Sequence, residues 1–549
     1  MKKRYLSMML AALICAAGVM GCGGGGDSTE TETQSQTEEA AGETSVNAME
    51  LEVDTNTEMT SSKDTLTIAM PSDPGTIDMH YSTAYDYVAP FIVNHLLIQE
   101  YDENGTVYPV VGEESLASEY SFDDDDMGLT FTIRDGVTFS NGYELTAEDV
   151  AFSIRLCSDQ SYYQMVDFDN IETDGNTIHI PFLQKDANAL YNIGATIPIY
   201  SEQYYQELNN EAEFFSTSAV GTGPYKIVEW VGGDYLDLEA NETYFAGAPI
   251  IKNLRIRFIT DSSVAFMELQ NGGVDIVQTP NWTDVEGVLA GNYPGIICWQ
   301  ESSAYMQHLG MNCSGTLSDF TLRQAVACAI NKEELAAGAF LGSGENSYCL
   351  VSESLPGTID YSDNWPYEYN PERAKELLAE AGYEEGELTL TCMVGAGDAT
   401  RTNAAQMIGG YLEAVGINLE IREVDIATYA STITDQPESW DFWLRNFGSG
   451  IGNAPSAHDF FATNVPMNCF IDDQDSSEQM LALASQMGQT MDDTEREEVF
   501  AELQDYYLNE CLYTYPLVQQ KTYTLVNSDL KNLTKCGQLY WNIKDAYFE

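Results

Sequence analysis

The 549-residue chain sets 23 Lys and Arg against 87 Asp and Glu, a formal net charge of −64 at neutral pH. That balance excludes nucleic-acid recognition, which needs a basic surface, and electrostatic docking on anionic lipid. With 44% apolar and 11% aromatic residues the chain can bury large cores, and its length corresponds to about two to four domains.

The first element is an export signal. Lys2, Lys3 and Arg4 precede a short apolar run, Leu6 to Met20, that is too short and wrongly flanked for a stable span. It ends Val19-Met20-Gly21-Cys22, which resembles a bacterial lipobox. That pattern implies a lipoprotein signal peptide over 1–21 and a diacylglycerol-bearing Cys22. Residues 23–26 are glycines, and residues 27–60 hold ten Asp and Glu, no Lys or Arg and no aromatic residue. Such a segment cannot offset its ordering entropy by burial, so 22–62 is expected to be a disordered acidic linker that tethers an extracytoplasmic body to the membrane. No other stretch is apolar enough to span. Of eleven cysteines, nine remain after Cys15 and Cys22 are set aside. An odd number without a C-x-x-C pair argues against a disulfide framework or a zinc ribbon and for free, buried thiols.

Order is expected from about Asp64. Leu66–Met70 alternates as a strand and is broken by Pro71-Ser72-Asp73-Pro74-Gly75. Leu129–Arg134 alternates again, and Thr146-Ala147-Glu148-Asp149 reads as a capped helix start. Strands follow at 226–230, 235–238 and 254–258, then a helix over 263–271 and a short strand over 274–277. Apolar spacing predicts a helix over 322–340. Asn370-Pro371 opens another that Gly382 terminates. A helix over 402–415, a strand over 417–424 and a buried strand over 440–447 complete an alternation that argues α/β architecture with parallel pairing.

Six blocks carry a resemblance. LTFTIRDGVTFSNGYELTAEDVAFSIR from Leu129 is followed, in order, by GTGPYKIVEW from Gly221, LQNGGVDI from Leu269 and LRQAVACAINKEEL from Leu322. YNPERAKELLAEAGY from Tyr369 and YLEAVGINLEI from Tyr411 complete the set. Together they resemble the family 5 extracellular solute-binding proteins, the dipeptide- and oligopeptide-binding group of ABC importers. The resemblance implies an α/β, two-lobed periplasmic-binding-protein-like fold (type II, large class with an extra inserted subdomain), hinged around a ligand cleft. It assigns 64–304 and 513–549 to lobe I, with 99–217 inserted, and 305–512 to lobe II. It also implies that the first strand and the last segment pair. The motifs around Thr146 and Gly221 are read as a helix cap and a tight turn, hence scaffold.

The resemblance places the ligand among loops 72–85, 300–310 and 444–459. The candidate contacts are Asp73, His80, Tyr81, Tyr305, His308, Trp443, Arg445, Asn446, Ser449 and His458. Peptide-binding members hold the ligand ammonium with an aspartate in a Gly-rich loop; here Ser449 stands near that place. Dipeptide members hold the ligand carboxylate with an arginine, for which Arg401 is the one nearby. The ligand class therefore stays open among peptides, sugars, opines and metal chelates.

No nucleophile elbow, zinc-protease helix, P-loop or dinucleotide fingerprint occurs. The expectation is a monomeric binding protein, not an enzyme, with no catalytic residue, cofactor or resident metal. Its expected partners are a small solute, foremost an oligopeptide, and the permease and ATPase subunits of an ABC transporter. A solute-sensing or adhesive lipoprotein on the same fold is the alternative.

Overall fold

The computed structural model describes residues 45–47, 59–78, 88–101, 106–160, 163–396, 399–447, 454–471, 474–536 and 540–549. A 12-stranded mixed sheet runs through the molecule. Its strands lie in the order Ile417–Val424, Leu388–Gly395, Phe442–Phe447, Ile296–Met311, Thr514–Asn527, Ile276–Gln278, Thr65–Met70, Asn253–Phe258, Tyr235–Ala240 and Tyr225–Val231. Two short strands, Ser45–Asn47 and Gly344–Asn346, add to the two long central ones.

The local signals that predicted these elements are visible as contacts. Thr146 Oγ1 accepts the Asp149 amide while Asp149 Oδ2 accepts the Thr146 amide at 2.9 Å, a reciprocal cap that starts the helix Ala147–Leu156. Asn370 Oδ1 accepts the Arg373 amide at 3.0 Å, and Pro371 occupies the first turn of Pro371–Glu380. Gly382, at φ +89°, supplies the left-handed residue after that helix. The alternating strand Ile417–Val424 has the predicted bounds.

Five expectations are corrected. Leu322–Phe340 is not one helix: Phe320–Ala329 ends at Ile330, which is extended, and Asn331 caps a new turn by accepting the Glu334 amide. The apolar spacing continues across that break because both pieces pack on the same core. The strand expected at 274–277 lies at Ile276–Gln278. Thr65–Met70 pairs with Asn253–Phe258 and Ile276–Gln278, not with the C-terminal strand. The contact between the two ends of the body is made one step earlier, by Ser62, whose amide donates to the Phe548 carbonyl at 2.9 Å. Within the acidic linker, Ser45–Asn47 pairs in parallel with Cys298–Gln300. The first half of that long strand has an open edge whose backbone groups accept an extended segment. Parallel pairing also holds only in part: 65–70 with 253–258 and 388–395 with 417–424 are parallel, whereas the two central strands are antiparallel.

The buried side chains divide into separate cores. One, including Leu66, Ile68, Ile256, Trp299 and Trp541, covers one face of the sheet's N-terminal half; another, including Ala69, Val277, Cys298 and Leu525, covers the opposite face. A third is drawn wholly from residues 96–199. The largest runs from Leu309 to Val518. Among the described residues eight cysteines are free and buried, and burial pushes the Cys392 thiol up to about 12. Among the described residues no helix is long and apolar enough to cross a membrane.

Candidate functional site

The two long antiparallel strands link the cores. Cys298, Trp299, Leu525 and Val526 belong to the N-terminal cores; Leu309, Met311, Tyr515 and Val518 belong to the largest one. Between them the ladder breaks. Ser302 pairs with Lys521, but the next pair is Met306 with Gln519, and a second shift lies between Gln307 and His308. Irregular pairing removes ladder hydrogen bonds and lets a strand bend, so the connection between the cores is weakest here.

On the far side of the break, Phe442–Phe447 pairs with Met306–Met311. Trp443 is fully enclosed. Its indole N–H donates to the Asn468 carbonyl at 2.7 Å, and its ring lies against Gly310, where an added Cβ would come within 1.9 Å. His308 is also fully enclosed. Its Nδ1 is 3.1 Å from Thr514 Oγ1, and its ring packs on Phe447 and Phe460. Burial, aided by the Lys332 charge, lowers its pKa to about 3, so it is neutral. Trp443 and His308 are therefore core residues here rather than parts of an open wall.

Alternate residues of this strand face opposite sides. Arg445 is exposed, donates Nη1 to Asn468 Oδ1 at 2.8 Å and lies 5.7 Å from the Phe447 ring centre. Asn446 donates Nδ2 to Gln520 Oε1 at 2.7 Å, while its Oδ1 is buried without a partner. Opposite Asn446 sits Gln307, fully buried, whose Oε1 accepts from Arg401 Nε at 3.3 Å. The Tyr305 carbonyl accepts from Gln519 Nε2 at 3.4 Å. Asn446, Gln307, Arg401, Tyr305 and Gln520 thus gather at the break.

Other candidates lie apart from it. Asp73 Oδ1 accepts from the Gly75 amide at 2.8 Å and Trp230 Nε1 at 3.1 Å, and Oδ2 accepts from the Gly233 amide at 2.7 Å. Its carboxylate fastens the first loop to the 225–240 hairpin. His458 sits with Asp186 and Lys185 on a cavity of about 260 Å³, where the Ala187 amide donates to the Gly488 carbonyl at 2.8 Å. Burial raises Asp186 to about 6. A neighbouring cavity of about 800 Å³ lies between Tyr108 and Tyr191 on one side and Leu355, Arg496 and Phe500 on the other. His80, Tyr81, Ser449 and Cys22 lie outside the described residues.

Four residues at the break escaped sequence reading: Gln520, Gln278, Thr524 and Trp299. The last three stand side by side on one sheet face, on the near side of the break, and are 5%, 1% and 3% exposed. A glutamine closing a short Val-Asp-Ile-Val strand is the only sequence signal, and it is weak.

Residues 113–468, well over half of the chain, match the model of the bacterial extracellular solute-binding proteins, family 5 (middle). The chain belongs to this family. Like other members of family 5 it has the two-lobed α/β fold and is an extracellular solute-binding protein. The oligopeptide-binding protein AppA of Bacillus subtilis is 27% identical over 374 residues, 63% of this chain and 67% of that protein. The structure of AppA in complex with a nonapeptide superposes with a TM-score of 0.75 at 21% identity, covering 89% of this chain and 100% of that one. NikA of Staphylococcus aureus, in complex with Ni(L-His)2, superposes with a TM-score of 0.72 at 19% identity, covering 88% of this chain and 100% of that one. These likenesses at low identity establish the shared fold.

Proposed function

We propose that this family 5 protein is the membrane-anchored binding component of an ABC importer and captures a peptide or peptide-like solute between its two lobes. Lobe I comprises 64–304 and 513–549, with 99–217 inserted, and lobe II comprises 305–512. Residues 1–21 direct export, Cys22 carries the lipid, and the body delivers its cargo to the permease.

The observation that carries the peptide reading is the set of uncharged amides at the strand break, Gln307, Asn446 and Gln520, with Arg401 beside them. Amides match the alternating donors and acceptors of a peptide backbone. The relation to an oligopeptide-binding protein points the same way.

The test is native mass spectrometry of the protein purified from its membrane under mild conditions. Released peptides support the reading; a sugar or a metal chelate refutes the cargo class. Cys22→Ala should free the protein from the membrane, and retention of the variant refutes the lipid anchor.

A further inference from the structure

Gln278 closes the strand Ile276–Gln278 at the carboxyl end of the parallel pair formed with Thr65–Met70. It is 5% exposed, and neither Nε2 nor Oε1 has a hydrogen-bond partner. Its partner in register is Thr524, whose partner on the other side is Trp299, so the three side chains form one row across the sheet. The Trp299 indole N–H is likewise buried and unpartnered, and its ring stacks on Trp541 with centres 5.8 Å apart. The next residue, Thr279, holds φ +50°, a left-handed conformation that a β-branched side chain adopts only under strain. The row ends three residues before Ser302, where the ladder breaks.

Burying an amide without partners costs free energy on both its donor and its acceptor. Native proteins tolerate few such groups. Ligands of open α/β sheets bind beyond the carboxyl ends of the strands, which is where this row lies. A glutamine amide with both ends free pairs with the N–H and C=O of one residue of an extended peptide, which point to the same side, giving N–H to that C=O and accepting that N–H at Oε1. The indole supplies a second donor and an apolar face.

We propose that Gln278 and Trp299 form a ligand subsite for uncharged peptide backbone of the cargo, the N–H and C=O of one extended residue held by Gln278 and a flanking carbonyl met by the Trp299 N–H. The proposal rests on the peptide reading above and specifies which surface reads the backbone.

The experiment strips retained ligand by denaturation and refolding, then offers a defined pool of unmodified peptides from dipeptides to nonapeptides, read by native mass spectrometry and thermal shift. Gln278→Met and Trp299→Phe are compared with the unaltered protein. An unpaired buried amide replaced by an apolar isostere leaves ligand-free thermal stability unchanged or raised. Peptide affinity should fall about tenfold or more in each variant. Unchanged peptide retention in both variants overturns the subsite while leaving the peptide reading intact. A drop in ligand-free stability with binding preserved overturns it too, by making Gln278 structural. Failure of the unaltered protein to take any peptide, with binding of a sugar or chelate instead, overturns the peptide reading and this inference together.

Discussion

Around Arg323 and Lys332 buried charge is met by the protein's own groups, whereas at the strand end near Gln278 a buried amide and an indole are left without hydrogen-bond partners. Arg323 is 1% exposed and donates to the carbonyls of Cys511, Leu317 and Ser318 at 3.0, 2.7 and 2.9 Å, with Phe320 and Tyr513 beneath it. Lys332 donates to the Ser347 carbonyl inside a cage of Tyr348, Trp365 and Tyr515, and burial lowers its pKa to about 7. These groups are structure, because every contact they need is internal. Gln278 and Trp299 lack hydrogen-bond partners at a place where one strand ends and the regular pairing of the two central strands is about to break. The difference teaches that burial alone does not mark a site; unpartnered groups at a strand end beside a break in the ladder single one out.

The comparison can be broken at several points. The largest effect is expected at Arg323. Arg323→Met strands three carbonyls and should destabilise by about 3–5 kcal/mol in chemical denaturation; a loss under 1 kcal/mol would mean the enclosure is not what holds it. Gly310→Ala drives a Cβ into the Trp443 ring and should cost about 1–3 kcal/mol by overpacking, read by the same denaturation curves.

Asp186 probes the seam at Gly488. Its pKa is raised to about 6 from 3.8, so the folded state prefers the protonated form. Stability from this group is therefore greatest below pH 3.8 and is lost as pH rises to about 6. Asp186→Asn should raise stability at pH 7 by about 1–3 kcal/mol, with the gain vanishing below the ordinary carboxylate range. His308 runs the other way: with its pKa lowered to about 3 from 6.5, it destabilises the fold progressively as pH falls through that window. The smallest effect is expected at the signature motif. Thr146→Ala removes one arm of a reciprocal cap and should cost about 1 kcal/mol while leaving ligand affinity unchanged; a fall in affinity would make the motif more than scaffold.

Much of this was legible in the sequence because it is local. Caps such as Thr146 and Asn370 and the alternation of Ile417–Val424 depend on neighbours within a few residues, and they appear as read. The break at Ile330 was hidden because helical spacing persists across it. The pairing of Thr65–Met70 was misplaced because Ile276–Gln278 intervenes, a fact set by sheet order and not by pattern. Within the candidate site, Asn446 and Gln307 were found through their loops. Trp443 and His308 carry the chemistry of a binding wall but lie in the core, Trp443 on the Asn468 carbonyl and His308 between Phe447 and Phe460 with Nδ1 on Thr514 and Nε2 buried without a partner. Asp73 is likewise saturated by three N–H donors. Gln278 gave almost no signal, since an unpaired buried amide is a property of the fold alone.

The most direct test is a crystal structure of the protein with its natively retained ligand. The account predicts the N–H and C=O of one extended ligand residue within hydrogen-bond reach of the two Gln278 side-chain atoms, with the Trp299 N–H on an adjacent carbonyl. Ligand density elsewhere, with ordered water satisfying Gln278, would contradict it.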